Sequence, residues 1–197
     1  MAYRDAEPRR LAPGLNDLRS LVDRRPGPST SPLSVRIPYA TKHGNLSLRS
    51  WRRAPHAEAG EIRLEDDTMA VRGRLYRVAY PSEWLADAVV EARCRGGEGP
   101  VRTAPLEVEG PDFSFTLSYA DLARTWGGGA DVWDLWLRPA DRTMAPARLA
   151  RILDDVADKK EIFTYPPRTV AGPHGEALAR PYYTRDNDLA VRIEALA

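Results

Sequence analysis

From Leu33 onward the chain alternates apolar and polar residues with a period of two, and this constrains its fold more than any other feature of its 197 residues. Val71, Gly73 and Leu75 alternate with Arg72 and Arg74, and Val90, Ala92 and Cys94 with Glu91, Arg93 and Arg95. Leu106 and Val108 alternate with Glu107 and Glu109, and Phe113, Phe115 and Leu117 with Ser114 and Thr116. Each set gives a strand one apolar face and one wet face. Further strands are expected over 33–38, 45–50, 61–65, 131–137, 148–152, 161–165 and 188–194. Turn chemistry separates them at Gly96-Gly97, Glu109-Gly110-Pro111, Gly127 to Gly129 and Pro173-His174-Gly175. With no long helical run between them, these segments predict an all-β fold: an antiparallel β-sandwich, immunoglobulin-like or carbohydrate-binding-module-like. Helix is expected only as a turn or two over Tyr119 to Arg124, after Ser118. Residues 147–157 fit both periods, but Asp154 and Asp155 suit a loop following a strand.

The alternation does not extend to residues 1–32, which carry Pro8, Pro13, Pro26, Pro28 and Pro32 among charges of both signs. They read as a flexible, disordered tail with one short amphipathic helix near Gly14 to Asp23, and the sandwich is expected over 33–197. Twenty-nine basic against 28 acidic residues leave a net charge of +1, so no broad electrostatic footprint for nucleic acid exists. Only three of the basic residues are lysines, Lys42, Lys159 and Lys160, and glutamine is absent. This is the residue usage of a GC-rich, actinobacterial type of genome. No run is long and apolar enough for a membrane span, and the N-terminus shows no secretory signal. The expected location is the cytoplasm, or the inner face of the cell membrane through a partner. A single cysteine, Cys94, allows no internal disulfide; its strand position makes it a small inward hydrophobe.

A repeat is written into the sequence. Residues 38–49 read PYATKHGNLSLR and residues 181–192 read PYYTRDNDLAVR, with Pro, Tyr, Thr, Leu and Arg identical at five of twelve positions. Two equivalent hairpins are expected, with Tyr39 and Tyr182 in matching environments and Leu46, Leu48, Leu189 and Val191 all buried. On that view, 33–50 is a hairpin or docking strand that repeats the closing element of a sandwich unit.

The segments PYATKHGNLSLRSW, HAEAG at 56–60, VRGRLY at 71–76, WDLWLRP at 133–139, RILDDVADKKEIFTYP at 151–166 and RPYYTRDNDLAVR at 180–192 resemble β-sandwich accessory modules of actinobacterial cell-envelope proteins. These modules follow catalytic domains of the family 2 glycosyltransferase or CDP-glycerol glycerophosphotransferase type. The resemblance implies a sandwich that accompanies such a transferase. The catalytic half itself is not in these residues, because there is no βαβ rhythm. The acid-x-acid triplets Glu107-Val108-Glu109 and Asp186-Asn187-Asp188 fall in strand and turn contexts.

Alternation in Asp131 to Leu137 puts Trp133, Leu135 and Leu137 on one face and Asp134 and Trp136 on the other. Trp133 is therefore expected in the core and Trp136 as a sugar-stacking platform with Asp134 beside it. Tyr183 is expected as a second stacking ring, with Asp155 and Lys159 fixing hydroxyls or a phosphate from a charged loop. Asp186, Asn187 and Asp188 could join Asp154 or Asp155 in an oxygen-rich calcium site, but the triplet is also ordinary turn chemistry, with Asn187 suited to left-handed backbone. No metal and no cofactor are assigned. His56 with Glu58 or Glu61 is the one acid–base pair the spacing offers, and no nucleophile elbow or phosphate-cradling glycine loop accompanies it. The readings rank as a non-catalytic module contacting glycan or glycopolymer, then a docking module that holds a glycosyltransferase partner, then an enzyme of unrecognised type.

Overall fold

A computed structural model describes residues 9–196 apart from Asn16, Asp23, Gly97 and Glu98. The first eight residues of the expected tail therefore lie outside the described residues, as do Asn16 and Asp23 of its expected helix. Within that stretch, Arg19–Leu21 form a single 3-10 turn.

The strands are β1 (Leu33–Ala40), β2 (Leu46–Arg53), β3 (His56–Leu64), β4 (Thr68–Tyr76), β5 (Val89–Cys94), β6 (Val101–Pro105) and β7 (Glu107–Glu109). They continue with β8 (Asp112–Ser118), β9 (Asp131–Arg138), β10 (Ala147–Ala150), β11 (Arg168–Gly172), β12 (Gly175–Tyr183) and β13 (Leu189–Ala195). Two one-turn helices interrupt them, α1 (Pro81–Leu85) and α2 (Tyr119–Ala123). The expected turn after Ser118 is α2, whose first turn is capped by the Ser118 hydroxyl accepting from the Asp121 N–H at 3.4 Å.

The fold is the expected all-β sandwich. One layer runs β11-β12-β13-β9-β5-β6 and the other β3-β4-β8-β7. Strand β10 bridges them, antiparallel to β9 and parallel to β3, the one parallel pairing among the described strands. A single core lies between the layers. Ala57, Met69, Val71, Phe113 and Phe115 from one side meet Val90, Trp133, Leu135, Val191 and Ile193 from the other. The alternation in the sequence is thus the alternation of core and solvent. Gly73 is fixed by close approach, because a Cβ there would stand 2.4 Å from the Phe113 ring and 2.5 Å from the Glu58 carbonyl.

Residues 161–165 form no strand, contrary to the sequence expectation. The Ile162 and Phe163 N–H groups both return to the Lys159 carbonyl, at 3.1 and 2.8 Å, closing a turn. Pro166 and Pro167 then supply no ladder donors. Strands β6, β11 and the first half of β12 carry too few large apolar residues to have announced themselves.

Hairpin β1–β2 is a separate two-stranded sheet. Leu33, Val35, Ile37 and Trp51 on one of its faces pack on Ala150, Ile152, Leu153 and Ala157 of the sandwich, with Leu18 and Leu21 alongside. Its other face is bare: Leu46 is 37% and Leu48 55% exposed, which corrects the expectation that both are buried. The cause is that no second layer covers this face among the described residues.

Candidate functional site

Strand β9 crosses the middle of its layer, and its outward residues sit in a lattice of arginines. Asp134 accepts both Arg95 Nε (3.0 Å) and Arg95 Nη2 (2.8 Å), and its Oδ1 also takes Arg148 Nη2 at 2.6 Å. Burial by itself would raise this carboxyl, but Arg95 and Arg148 outweigh it and hold Asp134 below the ordinary 3.8. Glu91, on the neighbouring strand, behaves the same way: burial opposes ionisation and is outweighed by Arg93 and Arg138. Glu91 pairs with Arg93, with Arg138 at 3.3 Å and with Arg142 at 3.5 Å. Asp188, in the β12–β13 turn, holds Arg53 at 2.6 Å and Arg148 at 3.5 Å. Three acids therefore hold six arginines on one side of the molecule.

Trp136 stands in this lattice. Register places it between Glu91 of β5 and Arg148 of β10, and the guanidinium carbons of Arg93 and Arg148 each lie 5.2 Å from its ring centroid. Trp133, two residues C-terminal of Asp131 on the inward face, is fully buried, as the alternation predicts. Asp134 and Trp136 thus share the outer face of β9, both half-buried.

The other three expected site residues lie elsewhere. Tyr183 is wholly buried, facing the core from β12, with its hydroxyl unpartnered and pushed well up by burial. Lys159 is also wholly buried; its ammonium donates to Asp154 and to the Val156 carbonyl (2.8 Å), and burial lowers its pKa against the pull of Asp154. Asp155 is half-buried beside Leu15, Leu18, Arg19 and Val22, away from β9. Neither Tyr183 nor Lys159 is open to a ligand: both are wholly buried, while their neighbours Tyr182 and Lys160 are half-buried and exposed.

Lys159 instead belongs to an internal clasp. Asp154 bridges it to Arg151 (2.8 Å), and the Phe163 ring lies 4.7 Å from the Arg151 guanidinium carbon, 5.9 Å from the Lys159 ammonium and 5.8 Å from the Tyr183 ring. Asn187 completes it, its side-chain oxygen accepting from the Lys159 N–H at 3.2 Å and its amide donating to the Ala157 carbonyl at 3.3 Å. Asn187 and Asp154 are thereby engaged as clasp members, and no group of three metal-ligating His, Cys, Asp or Glu side chains occurs among the described residues. The His56–Glu58 pair is a seam of the same kind. His56 Nε2 lies 2.7 Å from Glu58 Oε2, and the carboxylate accepts the N–H groups of Ile152 and Leu153 at 3.0 and 2.9 Å, with His56 fully buried.

The clasp holds one further feature in place, which the sequence reading did not anticipate. Segment 160–165 stands against the outer face of β12–β13 and forms a groove of about 300 Å³ lined by Phe163, Tyr165, Tyr182, Lys160, Arg180 and Arg192. Its only sequence signal was the aromatic-and-cation content of the two flanking segments, read one residue out of phase.

No sequence family and no curated protein matches the chain. Solved structures share its fold, among them two of S. aureus TarS. A crystal structure of S. aureus TarS residues 217–571 superposes with a TM-score of 0.55 at 12% identity, covering 74% of this chain and 40% of that one. A second S. aureus TarS structure gives 0.56 at 13% identity, covering 76% and 26%. The chain spans less than half the length of either, and the likeness is one of fold.

Proposed function

We propose that this chain is a non-catalytic β-sandwich module that works with glycosyltransferase machinery and contacts a glycan or cell-envelope glycopolymer. The observation that carries the reading is the Trp136 ridge: a half-buried indole flanked by two guanidinium groups on the outer face of the sheet, with Asp134 two residues away on the same face. The acid–base pairs His56–Glu58 and Lys159–Asp154, by contrast, are sealed inside as structural ties. An aromatic face with fixed polar neighbours suits the C–H face and hydroxyls of a sugar, and an arginine lattice suits an anionic polymer. The association with a transferase is supported by the shared fold with TarS, a teichoic acid glycosyltransferase, of which this chain corresponds in length to a part.

The test is one substitution measured two ways. Trp136→Ala is expected to weaken binding of a teichoic-type polymer severalfold, since ring stacking contributes on the order of 1 kcal/mol beyond area burial. Urea stability should fall by less than the roughly 3–5 kcal/mol that truncating a core tryptophan costs. A core-sized loss of stability in a protein that binds no saccharide would refute the reading.

A further inference from the structure

We propose that the groove between segment 160–165 and strands β12–β13 is a binding site for a phosphate-bearing saccharide. This deepens the reading above and rests on it. The walls are the rings of Tyr165 and Tyr182, both half-buried, with Phe163 at the base of the segment. Two tyrosines presenting an apolar body and a polar tip are the surface that a pyranose or furanose ring needs on one side and its hydroxyls on the other.

The charge on the rim names the class of saccharide. Arg180 and Arg192 are direct cross-strand partners on the outer face, so two guanidinium groups stand side by side. They share a single carboxylate, Glu194, which is 2.7 Å from Arg192 Nε and 3.7 Å from Arg180 Nη2. Lys160 closes the rim from the opposite segment and has no carboxylate within ion-pair distance among the described residues. Like charges placed opposite one another are disfavoured unless an anion lies between them, and the planar fork of an arginine fits phosphate oxygens two at a time. The only acid in the lining is Glu161. The comparable hollow over β3, β4 and β8 lacks this imbalance, because its two cations, Arg63 and Arg72, are matched by two acids, Glu61 and Glu107.

The groove is also preorganised. Phe163 is pinned from behind by Arg151, Lys159 and Tyr183, and Lys159 is itself tied to Asp154 and Asn187. The wall that carries Tyr165 is therefore anchored through buried groups, and little ordering cost remains for binding. Buried Lys159 and exposed Lys160, one residue apart, divide the work between holding the wall and facing the ligand.

A phosphate next to a sugar ring occurs both in nucleotide sugars and in phosphodiester-linked polymers, so the experiment carries both. Affinities of the full chain are measured at low salt for UDP-glucose, a teichoic polymer, neutral dextran and glucuronate. At least one of the two phosphate-bearing probes is expected to bind, dextran and glucuronate at least about tenfold more weakly, and the preferred probe identifies the source. Arg180→Ala with Lys160→Ala is expected to weaken binding about tenfold or more and to flatten its salt dependence with the thermal midpoint unchanged, because these two side chains are exposed, and Tyr182→Ala is expected to weaken binding about fivefold. Arg180→Lys should restore charge but only part of the affinity. Equal binding of dextran and the teichoic polymer, or glucuronate bound as tightly as the phosphate probes, would overturn the phosphate assignment and leave the glycan-contact reading standing. Binding that is unmoved by the groove substitutions yet lost in Trp136→Ala would move the site to the ridge. Failure to bind any saccharide would remove both proposals.

Discussion

Hairpins β1–β2 and β12–β13 are the same device with opposite faces hidden. Their strands pair in one register: Pro38 faces Leu48 as Pro181 faces Val191, and Tyr39 faces Ser47 as Tyr182 faces Ala190. Their turns share every backbone bond. The Thr41 N–H donates to the Asn45 carbonyl at 2.9 Å and the Thr184 N–H to Asp188 at 2.8 Å, while Gly44 and Asn187 return to Thr41 and Thr184 at 2.8 and 3.0 Å. The threonine hydroxyls accept from Asn45 and Asp188, each at 3.2 Å. Gly44 and Asn187 occupy the same left-handed position, with φ of 71° and 58°. Yet Leu189 and Val191 are completely buried, while their counterparts Leu46 and Leu48 look into solvent. The first hairpin instead buries Ile37, whose counterpart is the exposed Arg180. It uses its hidden face to grip the tip of the second hairpin: Trp51 Nε1 donates to the Asp186 carbonyl at 2.9 Å, Arg49 donates to the Arg185 carbonyl, and Arg53 pairs with Asp188. Register and turn are thus local properties that survive a change of surroundings, whereas burial is assigned by what lies opposite.

The sharpest way to break this comparison is a charge at equivalent positions. Val191→Asp puts an unpaired carboxylate into the core and should cost several kcal/mol, enough to unfold the domain or bring its urea midpoint close to zero, whereas Leu48→Asp should stay within about 0.5 kcal/mol. Similar losses from the two would mean that the first hairpin's bare face is covered in solution.

A smaller effect is expected in the turns. Asn187→Gly keeps the left-handed backbone but removes the side-chain bonds to Lys159 and Ala157 inside the clasp, and should cost about 1–3 kcal/mol. Gly44→Asn, the reciprocal change in a turn with open space around it, should cost less than about 1 kcal/mol. Thermal unfolding of the two variants checks the difference in sign-independent form, and equal costs would show that the clasp bonds contribute nothing.

The smallest effect is in acid. Asp134, beside the second hairpin, has its carboxyl held below 3.8 by Arg95 and Arg148, so its contribution to stability is present above that ordinary value and is lost as pH falls through the lower folded value. The stability gap between the protein and Asp134→Asn should therefore be constant near neutrality and close in strong acid, as read by urea midpoints across pH. Leu48→Asn should show no such closure, since the bare face of the first hairpin, formed by Ser34, Arg36, Pro38, Ala40, Leu46, Leu48, Ser50 and Arg52, contains no carboxylate.

Half of the site was legible before any coordinates. In the 131–137 strand, three large apolar residues stand together on one face, so the phase of the alternation is settled within the strand itself and Trp136 and Asp134 had to face outward. At 180–183 both phases are plausible on paper, because Tyr182 and Tyr183 are adjacent and equally apolar. The same holds for Lys159 and Lys160. Tyr183 and Lys159 turn out to be the buried members of these pairs, and the groove is built by their neighbours Tyr182 and Lys160.

By itself, then, the order of residues determined the period, the turns and the equivalence of two hairpins, since each depends on groups a few positions apart: Cβ atoms alternating across a pleat, and a threonine closing onto its fourth neighbour. Tertiary structure decided which face of each strand meets the core. That choice depends on apolar surface brought from residues far along the chain, and for Leu48 and Val191 the same local geometry leads to opposite outcomes because a second layer stands over one and not over the other.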